Sequence, residues 1–222
     1  MYPPKHFQTS EEEKHKLRAL INDNALATLL VSIDEAFPHI SHIPFHFEEC
    51  ETSTEAKSKV LIAHVSNKHP LAERLLTQGD VPLSLVFHGE HSYISPHCGS
   101  NSNAHNANDN SKGQVVPTWN YAKVHVTGSA TAIVDPELKY QQMKISSQHF
   151  ERDQQRPWQL TEVSDKKIRQ MLTAITFFKV HIDSIEGRFK LSQNKPTAVR
   201  TQIAEQVARR NKPFLAQQIL DM

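Results

Sequence analysis

Apolar and polar residues alternate with a period of two over several short stretches of the chain. Residues 39–47 alternate cleanly, which predicts a strand with one buried and one exposed face. Pro44 lies in this stretch and cannot donate a ladder hydrogen bond, so we expect an edge or irregular position there. Residues 25–33 are apolar on both faces and predict a strand buried on both sides. Further strands are predicted at 60–65, 81–87, 92–95, 119–134 with a bulge or bend at Gly128, and 175–185 with a turn at Gly187.

Helical patterns surround these strands. A capping-box pattern at residues 10–13 opens a helix predicted over about 10–23. Pro70 and Pro136 each suit the first turn of a helix, because that turn needs no donor from its first residue. From residue 197 apolar residues recur at four-residue steps, which predicts an amphipathic tail. Strands separated by turns, helices at the margins and no βαβ alternation favour a mainly β protein, an antiparallel barrel with peripheral helices.

Composition narrows the class of protein. The 222 residues suit one domain, or one domain with a helical tail, and are enough to bury a core. The formal net charge of +1 gives no chain-wide basic excess of the kind that nucleic-acid binders show. Two cysteines imply no disulfide framework, and there is no signal segment or apolar run of about 18 residues. We therefore expect a cytoplasmic protein without membrane contact.

Motif searches exclude several classes of site. The 14 histidines match no zinc-ligand spacing, so we predict no metal site. There is no dinucleotide-binding, phosphate-loop or nucleophile-elbow motif, which removes Rossmann dehydrogenases, P-loop enzymes and common hydrolases. No helix-turn-helix with a basic recognition helix is visible. Residues 99–113 are rich in Asn, Ser and Ala, so we expect this segment to be mobile.

One short segment has the chemistry of an anion site. Residues 66–69 lie between a predicted strand and a predicted helix, where free backbone N–H groups favour negative charge. Lys68 adds a positive charge, and its neighbours add side-chain donors. The alternative is an ordinary strand-to-helix turn without a ligand. The candidate residues are Ser66, Asn67, Lys68 and His69.

Four sequence blocks occur in a fixed order: MYPP at 1–4, YISP at 93–96, VPTWNY at 116–121 and KLSQNK at 190–195. Together they resemble the PaiB-type FMN-binding negative transcriptional regulators. That resemblance implies an antiparallel FMN-binding split β-barrel, like that of pyridoxamine-phosphate oxidases, over residues 1–195. It leaves residues 196–222 as a C-terminal helical tail. It also implies a homodimer with FMN between the subunits.

The resemblance assigns roles to particular residues. It places the ribityl phosphate of FMN at residues 66–69, where the family usually has Arg-Ala-Asn-Pro and this chain has Ser-Asn-Lys-His-Pro. Lys68 is then expected to supply the charge, in a changed geometry, because a Lys point charge and an Arg fork are not equivalent. His42 is expected to face the cofactor. The flavin edge and the interface part of the site are expected at Thr118, Trp119, Asn120, Lys190, Ser192 and Gln193.

Alternatives stay open for both the residues and the function. Trp119 also suits a core position at a strand start, and residues 190–195 also suit a solvated turn. A rival to the regulator is an FMN-dependent oxidoreductase, or a haem-handling relative, on the same fold, since fold does not fix function. A further alternative is a dimeric barrel whose flavin site is vestigial. No DNA-contacting element is visible, so repression through DNA rests on the family resemblance alone.

Overall fold

The computed structural model describes residues 14–32, 37–50, 58–98 and 116–222. Its strands are β1 Leu26–Val31, β2 His39–Pro44, β3 His46–Cys50, β4 Ser58–Ser66, β5 Val81–Ile94, β6 Thr118–Ile133 and β7 Ile175–Lys190. They form one sheet in the order β2-β1-β5-β6-β7-β4-β3. The pairs β1–β2, β1–β5, β3–β4 and β4–β7 are all antiparallel. The expectation of a mainly antiparallel β protein with peripheral helices is confirmed.

Six α-helices accompany the sheet in the described part of the chain. They are α1 Lys14–Asp23, α2 Pro70–Gln78, α3 Pro136–Glu151, α4 Asp165–Leu172, α5 Thr197–Arg209 and α6 Pro213–Leu220. The predicted prolines open α2 and α3, and Asp135 caps α3 by accepting from the N–H groups of Glu137 and Leu138. Within the described residues, no helix has the length and apolar character needed to cross a membrane.

Some sequence predictions lie outside the described residues. These are the helix cap at 10–13, the opening block at 1–4 and the mobile segment at 99–113.

The strand predicted over 39–47 is two strands in the structure. β2 pairs with β1, whereas β3 pairs with β4, so the chain changes partner at Phe45. The N–H of Phe45 donates to the carbonyl of Ala25 at 2.9 Å, and its ring is fully buried. Pro44 ends β2, which is an edge strand of the sheet, as predicted.

The predicted breaks in the long strands are wrong. β5 is continuous, although its alternation of buried and exposed residues shifts phase at Glu90 and His91, which explains the predicted gap. β7 runs through Gly187 without a turn. β6 also continues through Gly128, where a Cβ atom would overlap the carbonyl oxygen of His181. Glycine at 128 therefore permits close approach of two backbones.

The described residues fall into two compact units. One unit comprises residues 24–87 and 125–185. Its aromatic centre is Phe45, whose ring meets Phe87 and Phe178 edge-on at centroid distances of 6.1 and 5.9 Å. A second cluster of this unit packs α4 and the turn before it against β4, through Val60, Ile62, Leu160, Ile168, Leu172 and Phe177.

The other unit contains the described parts of 1–23, 88–124 and 186–222. Here the two C-terminal helices are tied to the end of β5. The Glu90 carboxylate accepts from the N–H of Leu215 at 2.8 Å, in the first turn of α6, where negative charge is favourable. Arg210 donates to the Tyr93 carbonyl at 2.7 Å, and the Cys98 thiol donates to the Gln206 side chain. The tail helices predicted from residue 197 are confirmed.

A buried histidine links β3 to α3. His46 is 2% exposed, and its Nε2 has no hydrogen-bond partner among the described residues. Its ring lies 5.1 Å from that of His149, centroid to centroid. Burial, followed by the charge of His149, lowers the pKa of His46 from 6.5 to about 4. The folded protein therefore holds His46 neutral at pH values where the unfolded chain is protonated.

This pKa shift predicts acid destabilisation. We expect the free energy of unfolding to fall between pH 6.5 and 4, because the unfolded chain binds a proton that folded His46 does not. The contribution of this group reaches about 3 kcal/mol. His46→Leu should flatten the dependence of the denaturant midpoint on pH. His42→Leu, at an exposed position on β2, is the control, and an unchanged slope in His46→Leu would contradict the assignment.

Candidate functional site

The turn between β4 and α2 is fixed by Asn67. Its backbone N–H donates to the Ala174 carbonyl at 2.9 Å, and its side-chain Nδ2 donates to the Thr173 carbonyl at 2.7 Å. Its Oδ1 accepts from the Thr176 hydroxyl at 2.8 Å. The Asn67 side chain thus anchors the turn to the start of β7, and its amide is engaged within the protein.

His69 caps α2. Its Nδ1 accepts from the N–H of Leu71 at 3.1 Å, and its carbonyl accepts from the N–H of Ala72 at 2.9 Å. Pro70 has no N–H. The first N–H groups of the helix therefore have partners, and the attraction that free N–H groups would exert on an anion is much reduced. That part of the sequence argument for an anion site is wrong, and the side chains must carry the site.

Two side chains of the turn remain available as donors. The Lys68 side chain is exposed. The Ser66 hydroxyl oxygen accepts from the N–H of Lys68 at 3.2 Å, which leaves its O–H as a donor. Lys68 is thus the strongest positive feature of the predicted anion segment, as the sequence indicated.

Two residues on β2 join this group, and neither was predicted from the sequence. Ser41 Oγ lies 2.8 Å from His69 Nε2, and His39 Nε2 lies 3.3 Å from the same atom. His42, which the family resemblance singled out, alternates to the other face of β2, where its ring is exposed and bonds Thr28 at 3.2 Å. Alternation along β2 places His39 and Ser41 on one face and His42 on the other. It does not reveal which of the two faces meets α2. The structure brings Ser66, Asn67, Lys68 and His69 together with His39 and Ser41 and not with His42.

A second group lies where β6 begins and β7 ends. Lys190 Nζ donates to the Thr118 hydroxyl at 2.6 Å. Asn120 and Ser192 are both buried and exchange hydrogen bonds of 2.9 and 3.2 Å. These four predicted residues therefore meet in pairs across the two strands.

Local bonds shape the turn that follows β7. Gln193 Oε1 accepts from the N–H of Leu191 at 2.7 Å, and Gln193 Nε2 donates to the Phe189 carbonyl at 2.5 Å. Ser192 has φ of 62°, a left-handed conformation that is uncommon for residues other than glycine. Lys190 and Ser192 therefore hold the start of this turn against β6, whereas Asn194 and Lys195 are exposed.

Trp119 points away from this buried pair. It is 52% exposed, so the alternative of a core tryptophan is wrong. Its ring lies 6.1 Å from the Tyr93 ring and 5.8 Å from the His91 ring, centroid to centroid, and both neighbours are exposed. His91 and Tyr93 were not predicted from the sequence as members of this aromatic group. They lie on β5 and Trp119 lies on β6, which begins 24 positions after β5 ends, so their contact depends on the pairing of the two strands.

The half-buried Lys123 lies on the same side of β6 as Trp119. Its Nζ donates to the Gly89 carbonyl at 3.0 Å, and burial lowers the pKa of its ammonium group.

No three histidine, cysteine, aspartate or glutamate residues in the described ranges cluster as metal ligands.

Known proteins are similar to this chain both in sequence and in structure. A family model described as "Putative FMN-binding domain" matches residues 1–184. The protease synthase and sporulation protein PAI 2 of Bacillus subtilis (strain 168) is 26% identical over 213 residues, which cover 96% of this chain and 92% of that protein. Two solved structures share the fold. The FAD and haem binding protein from Mycobacterium smegmatis has a TM-score of 0.54 at 16% identity, covering 83% of this chain and 73% of that chain. A flavocytochrome from Azotobacter vinelandii has a TM-score of 0.51 at 15% identity, covering 85% and 75%.

Proposed function

This chain belongs to the family of FMN-binding domains whose model matches residues 1–184, and on that premise we propose that it is a PaiB-type negative regulator of transcription. FMN is its cofactor. The similarity to PAI 2 along nearly the whole chain supports the PaiB type. In this proposal residues 1–195 form the flavin-binding domain and 196–222 a helical tail. We also place the protein in the cytoplasm, where a free thiol such as that of Cys98 stays reduced.

The donors of the first group fit a phosphate monoester. An exposed ammonium group at Lys68 and a hydroxyl at Ser66 lie next to each other on a turn that Asn67 holds rigid. Phosphate oxygens accept strongly from such donors, and a lysine binds them as a point charge. We propose that Lys68 and Ser66 hold the FMN phosphate and that Asn67 and His69 keep the turn in shape.

The second group fits a planar ring with a polar rim. Trp119 offers an exposed aromatic face, and Lys190 has ammonium donors beyond the one used by Thr118. We propose that Trp119, Lys190 and Gln193 contact an isoalloxazine ring. Thr118, Asn120 and Ser192 act as positioning residues, because their hydrogen bonds fix the strand and the turn that carry those contacts. His42, exposed on β2, stays a proposed flavin neighbour without a supporting contact.

Bound FMN supplies reversible electron transfer, which would let a regulator respond to the redox state of the cell. This chain contributes binding and orientation. We propose a homodimer, because the exposed aromatic group of His91, Tyr93 and Trp119 forms a surface of the kind that subunit contacts cover.

The first prediction tests the phosphate contact. Lys68→Ala should weaken FMN binding about 10- to 150-fold, the range for a charge-assisted hydrogen bond, and should leave riboflavin binding nearly unchanged. The measurement is quenching of flavin fluorescence during titration with each ligand. Lys166→Ala, at an exposed position on α4, is the matched control. Equal losses for FMN and riboflavin would move the phosphate elsewhere, and no binding of FMN by the wild type would overturn the proposed function.

The second prediction tests the dimer. Sedimentation velocity should give a dimer over a wide range of protein concentration. Trp119→Ala should raise the dimer dissociation constant by about tenfold or more, as expected for a buried interface tryptophan. Met171→Ala, at an exposed apolar position on α4, should have no such effect. A monomer at every concentration would refute the homodimer.

The third prediction concerns DNA. We propose that repression does not depend on a dedicated DNA-reading element, because the net charge is only +1. Binding to the upstream region of its own gene should then match binding to scrambled DNA. It should weaken steeply with salt, with a logarithmic slope of about −0.9 per neutralised phosphate. A fluorescence titration at two salt concentrations measures both. Much tighter binding to the upstream region at physiological salt would show direct, sequence-specific repression.

A further inference from the structure

Three polar side-chain atoms converge beside the proposed phosphate contact. His69 Nε2 lies 2.8 Å from Ser41 Oγ and 3.3 Å from His39 Nε2, and the two imidazole rings meet edge-on with centroids 4.8 Å apart. All three residues are partly exposed. His69 directly follows Lys68, the proposed phosphate ligand. Neither His39 nor Ser41 has a role in the function proposed above.

The tautomer of His69 follows from its helix cap. Its Nδ1 accepts from the N–H of Leu71, so in the neutral ring the proton lies on Nε2. Nε2–H then donates to Ser41 Oγ, the nearer of its two neighbours. Protonation of His39 on Nε2 would direct a second N–H at the first across 3.3 Å. Without a ligand the pair therefore disfavours an additional proton. Burial, and next the presence of His39, accordingly lower the pKa of His69.

An oxyanion reverses this preference. The N–H of protonated His39 and the Ser41 hydroxyl, whose O–H is left as a donor because its oxygen accepts from His69, can both donate to oxygens of a single phosphate, and a nearby negative charge favours the imidazolium form. The same geometry disfavours a metal ion at His69, since both of its ring nitrogens already have roles as acceptor and donor. The N–H groups of the first turn of α2 are engaged, so the converging side chains and not the helix end would make this contact.

On the basis of the proposed function, we propose that His39 and Ser41 are part of the phosphate site and that the His39–His69 pair takes up a proton when a phosphate monoester binds. Ser41 acts as a positioning residue that holds the Nε2–H of His69. The site would then favour FMN over riboflavin increasingly as the pH falls from about 8 to about 6.5, the usual range of imidazole titration.

The turn, α2, β2 and β4 carry other charged or titratable groups, which must be included in the response of the pair. They are Lys68 in the turn, Glu73 and Arg74 on α2, His42 on β2 and His64 on β4. Glu73 in the first turn of α2 opposes an anion, whereas Lys68 favours one. The phosphate group itself also titrates near pH 6, so its own protonation must be separated from that of the pair.

Calorimetry separates these contributions. FMN and riboflavin are titrated into the full-length protein near pH 7, in buffers with different heats of ionisation. The change in measured binding enthalpy from one buffer to the next gives the number of protons taken up per ligand. His39→Asn removes one ring of the pair. His69→Asn removes the other ring and keeps a residue that caps helices well. His15→Asn, at an exposed position on α1, is the matched control.

Wild-type protein should take up a fraction of a proton with FMN and none with riboflavin. His39→Asn and His69→Asn should abolish that uptake and weaken FMN binding about tenfold at pH 6.5, with riboflavin unchanged, while His15→Asn behaves as wild type. Inorganic phosphate should compete with FMN more strongly at pH 6.5 than at pH 8 in the wild type alone.

The outcomes distinguish the two proposals. FMN binding with the same proton uptake in His39→Asn as in wild type would overturn the role of the pair and leave the proposed function intact. The absence of FMN binding by the wild type would overturn both. Loss of riboflavin binding in either histidine variant would show a general structural defect and would also count against a specific contact with phosphate.

Discussion

The three hydrogen bonds of Asn67 constrain everything that the β4–α2 turn presents. They join the end of β4 to the last turn after α4 and to the first residues of β7. Because both the amide nitrogen and the amide oxygen are used, the side chain cannot rotate without losing two bonds. Each such bond contributes about 1 kcal/mol, and an unpaired partner would add a desolvation cost. The positions of Lys68 and His69 therefore follow from β-sheet pairing and not from a flexible loop.

Much of the fold could be predicted from the sequence because its signals are local. The edge position of Pro44, the prolines that open α2 and α3, and the amphipathic tail each follow from one residue type or one period. The full lengths of the long strands β5 and β7 were harder to predict from the sequence. The Glu90 carboxylate accepts a hydrogen bond from the first turn of α6, far along the chain. At this residue the alternation of buried and exposed positions along β5 shifts by one, and in the sequence that shift looks like the end of a strand.

The candidate site was predictable only where it is continuous in sequence. Residues 66–69 and 190–195 are short segments, and their internal bonds keep them together. His39, Ser41, His91 and Tyr93 join from other strands, and their contribution depends on which face of a strand meets α2 or Trp119. Strand alternation fixes relative faces but not the identity of the neighbour. The choice of His42 over His39 illustrates this limit. The two histidines are three positions apart on β2, yet the ring of His42 is exposed and the ring of His39 belongs to the cluster.

The buried pair of Asn120 and Ser192 shows how a polar bond can replace a hydrophobic contact at the end of a sheet. Ser192 adopts a left-handed backbone, which costs of order 1 kcal/mol for a residue with a Cβ atom. Its hydroxyl satisfies a fully buried amide in return. Glycine would fit the backbone but would leave Asn120 without its partner, so the choice of serine reflects the bond and not the turn alone.

Close contact of backbones at Gly128 affects how variation in this protein is interpreted. Any side chain there would overlap the carbonyl of His181 on β7, so the position accepts glycine alone while those two strands stay paired. Among related sequences, or in a library of random variants, residue 128 would look as intolerant as a ligand-binding residue. That intolerance would reflect the distance between two strands. If positions were ranked by invariance alone, Gly128, which has no side chain to contact a ligand, would rank with the residues proposed to hold the flavin.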